Sequence, residues 1–203
     1  MARYRGPKHK ISRRFGENIF ETDKNPLDKR PYPPGQHGRN RRRKTSEYGL
    51  QLAEKQKVKY MYGVLERQFR RYFKEAARRQ GVTGTNLLKM LEARLDNFVF
   101  RAGFAATRPQ ARQFVSHGHF LVNGQAVNIP SYELKPGDRV SLRQKSRSNP
   151  FILESIKKRA ARGRVPYVSF DETAFESTYL NEPERGDMPV NVQEQLIVEL
   201  YSK

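Results

Sequence analysis

Three features of the sequence predict an α+β fold. Apolar residues recur at helical spacing between about residue 46 and residue 98. Asn123-Gly124, the strongest short hairpin signal, lies between Phe120-Leu121-Val122 and Gln125-Ala126-Val127. Residues 1–44 show little periodicity and are rich in Arg, Lys, Gly and Pro, as expected of an extended arm in front of a packed body.

In the arm, Pro31-Tyr32-Pro33-Pro34-Gly35 forces an extended or turning path. Alone, such a segment buries too little surface to offset its ordering entropy, so it is read as ordering on a partner. A plain solvated tail is the alternative. Ser46 is a helix cap, and a helix is predicted from about Glu47 to Tyr62, loosened at Gly63. Leu65, Phe69, Tyr72, Phe73 and Ala76 mark a second helix that stops at Gly81, with Arg67, Arg70, Arg71, Lys74, Arg78 and Arg79 mostly on its other faces. Thr85 is expected to cap one further helix that buries Leu87, Leu88, Leu91, Leu95 and Phe98.

Thr107-Arg108-Pro109 reads as a helix start, with the proline in the first turn and Gly118 as the stop. The hairpin follows, then a turn at Lys135-Pro136-Gly137-Asp138 and the alternating strand Arg139-Val140-Ser141-Leu142. Asn149-Pro150 opens a helix through Ile152, Leu153 and Ile156 that ends at Gly163. Residues 165–180 suggest strands or loop. A last short helix beginning at Asn191 or Val192 carries Leu196, Ile197 and Leu200 on one side.

Composition narrows the function. The 203 residues include 40 Lys+Arg against 21 Asp+Glu, a formal net charge of +19. That imbalance points to a polyanionic partner, nucleic acid first and an anionic membrane surface second. Residues 1–44 carry 14 basic and 4 acidic side chains, whereas residues 171–203 carry 2 and 8. Mean hydropathy is −0.88. No run of about 18 apolar residues offers a membrane span, and MARYRGPKHK lacks the apolar stretch of a signal peptide. There is no cysteine, which rules out disulfides and thiolate metal sites and favours a cytosolic setting.

Catalytic motifs are missing: no phosphate-binding G-x-x-x-x-G-K-[ST], no H-E-x-x-H and no G-x-S-x-G occurs. His117 and His119 flank a glycine, but no third ligand stands nearby in sequence to complete a metal site. The basic constellations are stronger. Arg39, Arg41, Arg42, Arg43 and Lys44 form a near-continuous run beside Tyr32, His37 and Tyr48. Guanidinium groups grip phosphate oxygens and stack on bases, and rings stack on unpaired bases, the mixture that structured RNA favours. The helix after Thr107 forms a second candidate surface. There Arg108 and Arg112 would share one face, with His117, His119 and Asn123 on the rim. Ordinary turn residues are the alternative reading of the two histidines.

These residues resemble a known family. Arg30-Pro31-Tyr32-Pro33-Pro34-Gly35-Gln36-His37-Gly38 is similar to the arm of the small-subunit ribosomal protein four (S-four) family. Arg94-Leu95-Asp96-Asn97, then Ala111-Arg112-Gln113-Phe114-Val115-Ser116-His117-Gly118-His119 and Val122-Asn123-Gly124, resemble the RNA-binding domain named after it. Residues 196–203 resemble its C-terminal helix. That domain also occurs in pseudouridine synthases and tyrosyl-tRNA synthetases; the arm and C-terminal helix narrow the resemblance to the ribosomal family.

The resemblance implies a helical domain (45–92 plus 176–203) with a small α/β RNA-binding domain of helix and antiparallel hairpin sheet inserted at 93–175, behind a basic arm at 1–44. It implies a structural constituent of the small ribosomal subunit that binds its 16S-type rRNA at the five-way junction of the 5′ domain and nucleates assembly of the body. Implied partners are small-subunit protein five, a contact tied to decoding accuracy, and messenger RNA near the entry channel. Some members repress their own operon. No membrane, small-molecule substrate, cofactor or enzymatic activity is implied. Many members bind zinc through four arm cysteines; Ser12 to Leu27 has none, which resembles the zinc-free bacterial or plastid branch and implies a ribosome of the cytoplasm or of the plastid stroma. In place of zinc, packing of Phe15, Ile19 and Phe20 and contact with RNA would order the arm.

The candidate RNA-contacting set comprises Arg3, Arg5, Lys8, Arg13, Arg14, Arg30, Tyr32, Gln36, His37, Arg39, Arg41, Arg42, Arg43, Lys44 and Tyr48 in the arm and its junction. It continues with Arg67, Arg70 and Arg71, then Arg94, Arg108, Arg112, His117, His119 and Asn123. The acidic residues Asp171, Glu172, Glu176, Glu182, Glu184 and Asp187 are expected to face solvent, a basic neighbour or the chain's own arginines. An RNA-modifying enzyme would need a catalytic domain for which no room remains. A membrane binder would have to expose the apolar face that Leu65–Ala76 needs for the core.

Overall fold

The computed structural model describes residues 4–40 and 44–202. The chain divides into two compact units, residues 1–84 with 191–203, and residues 85–190.

The first unit is helical. Helices α1 (Lys8–Phe15) and α2 (Pro26–Lys29) lie in the stretch where no periodicity was legible. Gly16 ends α1 in the left-handed conformation, φ 71°. Asn25 caps α2 by accepting from the Leu27 N–H at 3.1 Å. The arm packs on α3 (Glu47–Met61): Ile11 and Ile19 are buried, Tyr4 meets Tyr60 edge-on at 5.1 Å, and Lys57 donates to Glu17 at 2.9 Å. Ser46 caps α3 as expected, accepting from Gly49 N–H. After Gly63, α4 (Glu66–Arg78) presents Phe69, Phe73 and Ala76 on one side, positions spaced for one helix face. Helix α9 (Glu194–Ser202) packs on α3 and places Tyr201 against that side, stacked on Phe73 at 4.6 Å. Lys55 donates to both oxygens of Glu66 at 2.9 Å, and the Tyr201 hydroxyl donates to Glu66 at 2.9 Å. Burial pushes the Glu66 carboxyl up, but these donors outweigh it and the net shift is downward.

The second unit holds a five-stranded antiparallel sheet in the order β2-β1-β3-β5-β4, built from β1 (Phe120–Val122), β2 (Gln125–Ala126), β3 (Arg139–Leu142), β4 (Val168–Asp171) and β5 (Glu176–Tyr179). Helices α6 (Leu95–Ala102), α7 (Arg108–Ser116) and α8 (Pro150–Arg162) supply the rest of the core, with Phe98, Phe104, Val115, Phe120, Val140, Ile152, Tyr167 and Tyr179 at its centre. Each such side chain, once fully buried, contributes about 1.5–3 kcal/mol. Strand β5 pairs with both β3 and β4, so residues 176–179 belong by hydrogen bonding to this unit. The Asn123-Gly124 turn has φ of 50° and 81°, as a two-residue hairpin turn requires. Thr107 caps α7 as expected, and α8 opens at Asn149-Pro150, with Asn149 as its cap.

Not every expectation holds. The single helix predicted from a Thr85 cap through Phe98 is two: α5 (Thr83–Glu92) begins ahead of Thr85, which therefore lies inside it and does not cap it, and α6 starts at Leu95. Arg94 lies between them in extended conformation, bridged to Glu133; Leu95 N–H donates to Tyr132 at 2.8 Å and Leu134 N–H to Ala93 at 2.8 Å. The partner segment lies some forty residues downstream, so local periodicity carried no trace of the break. The last helix also begins at Glu194, later than Asn191 or Val192.

Candidate RNA-binding surface

The arm gathers cations on a small frame. Arg5, Arg14, Arg30 and Arg39 are exposed, as are Gln36, His37, Lys44 and Tyr48; Lys8 is half-buried and lies over the Phe20 ring. Arg3, Arg41, Arg42 and Arg43 lie outside the described residues. A cavity of about 680 Å³ opens among Arg13, Lys24, Lys29 and Arg30, with Asp23 and Asp28 on its wall. Tyr32 is half-buried, with Arg13 and Arg39 over its ring at 4.9 and 4.8 Å. Its phenol is pulled below the usual tyrosine value by the Arg39 hydrogen bond first, then by the charges of Arg39, Arg30 and Arg13.

On α4, Arg67, Arg70, Arg71, Lys74 and Arg78 are exposed, because Phe69 and Ala76 take the buried face. The outcome is a cationic ridge held by an apolar keel. Phosphate oxygens are the complementary ligand, and each one neutralised releases counterions.

The second unit treats its arginines differently. Arg94 is fully buried and bidentate on Asp96, at 3.0 and 2.6 Å. Arg108 is buried, donates from Nε to Asn97 at 2.8 Å and lies 4.5 Å from the Phe100 ring. Arg112 is half-buried and reaches Asp96 at 3.4 Å. Arg108 and Arg112, expected to share one RNA-facing side, and the candidate Arg94 are therefore drawn inward. The cause is a set of acceptors on α5 and α6. Glu92, with no exposed surface, accepts from Arg101 at 2.9 and 3.2 Å, from Asn97, and from the Tyr167 hydroxyl at 2.9 Å. Burial first, then the Glu92 charge, push the Tyr167 phenol well above its ordinary value. Buried ions cost several kcal/mol of desolvation each, and bidentate geometry with extra hydrogen bonds is what offsets that cost.

Glu92, Arg101 and Tyr167 were missed by sequence reasoning. The signal for the first two was present: charged residues sit inside the apolar run from Leu87 to Phe104, where an unpaired charge would not be tolerated. Nothing local pointed to Tyr167.

Near the hairpin, His117 is exposed. His119 is half-buried, with Nδ1 2.8 Å from the Ser146 hydroxyl; burial, His117 and Arg143 in that order lower its pKa. The Asn123 side chain braces the turn, donating to Asp138 at 2.8 Å and accepting from the Arg139 N–H at 2.9 Å. Exposed Arg143, Lys145 and Arg147 follow β3 and were absent from the expected set, although the alternation of Arg139, Ser141 and Arg143 against Val140 and Leu142 would have placed the first of them outside. Three of the six acidic residues meet the chain's own cations: Glu172 with Arg164 at 3.6 Å, Glu176 with Arg139 at 3.9 Å and Glu182 with Lys89 at 3.2 Å. Asp171 instead caps the turn at Thr173 and Ala174, and Glu184 and Asp187 close on each other's backbone. Among the described residues no group of three or more His, Asp or Glu could hold a metal ion, and no helix is long and apolar enough to cross a membrane.

Comparison with known proteins adds an independent line. Residues 3–92 match the family model described as ribosomal protein S4/S9 N-terminal domain, and residues 93–140 match the S4 domain. The chain is 55% identical over 203 residues to the small ribosomal subunit protein uS4 of Cytophaga hutchinsonii, and 56% identical to that of Porphyromonas gingivalis, with 100% of each chain covered. The uS4 protein of Brevibacillus brevis is 53% identical over 204 residues, again across the full length of both chains.

Proposed function

Because this chain belongs to the uS4 family of small ribosomal subunit proteins, we propose that its exposed cations grip folded rRNA while its buried ion network keeps the S4 domain in shape. At the level the family fixes, the protein is a structural constituent of the small subunit, binds rRNA and is not an enzyme. The observation that carries the division of labour is the burial of Arg94 and Arg108 against the exposure of Arg67, Arg70 and Arg71. The arm at 1–44 and the α4 ridge then make the phosphate contacts, joined by His117, Arg143, Lys145 and Arg147 beside the hairpin.

The finer placement belongs to the same proposal. The RNA is the five-way junction of the 5′ domain, bound early enough to nucleate assembly of the body. Small-subunit protein five is a neighbour, and messenger RNA passes close by at its entry. Repression of its own operon would use the same cationic surface. The compartment is the bacterial cytoplasm, with a plastid stroma as the alternative setting for the zinc-free type. Ultraviolet crosslinking in cells, followed by sequencing of the bound RNA, tests this. The expected result is one dominant cluster of crosslinks at that junction. Crosslinks scattered over the ribosomal RNA, or concentrated elsewhere, would sink the placement.

A further inference from the structure

Tyr32 was expected to stack on an unpaired base, but its ring is already engaged. Arg13 and Arg39 lie over it at 4.9 and 4.8 Å. Arg13 also donates from Nε to the Tyr32 carbonyl at 2.9 Å and from Nη2 to the Pro33 carbonyl at 3.1 Å, which fastens this loop to α1. Arg39 donates to the Tyr32 hydroxyl at 3.2 Å. The loop beyond is closed tightly: Gly38 N–H donates to the Gly35 carbonyl at 3.2 Å, Gly35 has φ of 103°, and a Cβ at Gly38 would overlap the Pro33 carbonyl. Two of Arg13's donor groups are thus spent on backbone carbonyls, whereas the exposed Arg39 meets the same ring from the loop's far end.

We propose that Tyr32 is a positioning residue for RNA binding, transmitting the place of α1 through its ring to Arg39, which then meets a phosphodiester oxygen. A guanidinium already held against a ring loses less freedom when it grips phosphate. The proposal rests on reading the arm as an RNA-binding element and assigns Tyr32 a role within it other than base stacking. Positioning and stacking make opposite predictions about salt. Loss of an ordered cation lowers the dependence of affinity on ionic strength. Loss of a ring stacked on a base lowers affinity at every salt concentration alike.

The test uses the full chain and a transcript of the 5′ domain of small-subunit rRNA, titrated at several salt concentrations. Tyr32→Phe keeps the ring and is expected to bind within about twofold of the parent with the same slope. Tyr32→Ala is expected to bind about three- to tenfold more weakly, with the log–log salt slope reduced by about 0.7–0.9. Adding Arg39→Ala to Tyr32→Ala should reduce the slope no further. An unchanged affinity, a slope unchanged in Tyr32→Ala, or a further fall of slope in the double variant would overturn the proposal. A second measurement needs no RNA. In the free chain, NMR should find the Arg39 side-chain N–H slowed in exchange in the parent, where the Tyr32 hydroxyl accepts from it, and faster in Tyr32→Ala; equal exchange in the two also overturns it. Should the parent bind this transcript no better than random RNA, the rRNA reading fails, while the exchange result judges the clamp by itself.

Discussion

The arginines of α4 and those around α6 and α7 carry the same guanidinium into opposite surroundings. On α4, Arg67, Arg70 and Arg71 stand in water with an apolar face behind them. Around α6, Arg94, Arg101 and Arg108 are buried with Asp96, Glu92 and Asn97 as acceptors. The difference is decided by what lies within reach. Where buried acceptors are at hand, a cation becomes part of the fold; where none is, it is left for an external anion. A count of positive charge therefore overstates the surface available to RNA, and in this chain it overstates it most in the domain that resembles an RNA-binding module.

The sharpest way to break the contrast is Glu92→Ala. It removes the acceptor of Arg101, Asn97 and Tyr167 at once and should cost about 3–5 kcal/mol of stability, read as a lower urea midpoint for the second unit. A variant as stable as the parent would mean that the network is ornamental. Arg108→Met comes next, at about 2–3 kcal/mol; its salt slope for rRNA binding should stay at the parent value wherever the protein is folded. A fall in that slope would return Arg108 to the surface. The reverse behaviour is expected of the pair Arg70→Ala and Arg71→Ala: stability within about 0.5 kcal/mol of the parent, and a salt slope smaller by about 1.4–1.8. The smallest effect belongs to Glu182→Gln. Its pair with Lys89 is open to solvent and worth about 0–1 kcal/mol before salt screening, so stability and rRNA affinity should barely move; a large loss of affinity would place the acidic segment against RNA.

Much of the architecture could be read in advance, because it is written locally. Ser46 and Thr107 cap the helices they were expected to cap, a helix opens at Asn149-Pro150 as expected, and Asn123-Gly124 forms the predicted hairpin turn, with positive φ at both positions. What escaped was set by distant partners. The break between α5 and α6 depends on Tyr132 and Leu134, and the burial of Glu92 depends on Tyr167. The helices of the arm escaped for another reason. Ile11 and Ile19 are too few to make a periodic pattern, yet each is buried within the first unit. On the candidate surface, exposure followed from the helical period along α4, whereas at Arg94 and Arg108 the same residue type gave no hint of which way it would turn.

The hydrogen bond between Tyr167 and Glu92 spans 75 residues of chain. During translation, Glu92, Arg94 and Arg101 leave the ribosome well before the residue that completes their enclosure. At roughly 5–20 residues per second that interval lasts about 4–15 s. Until it ends, Glu92 has no tyrosine to accept from, and strand β3 waits for β5. Full enclosure of the Glu92 carboxylate therefore has to follow the emergence of residue 167, although Asn97 and Arg101 are at hand from the start.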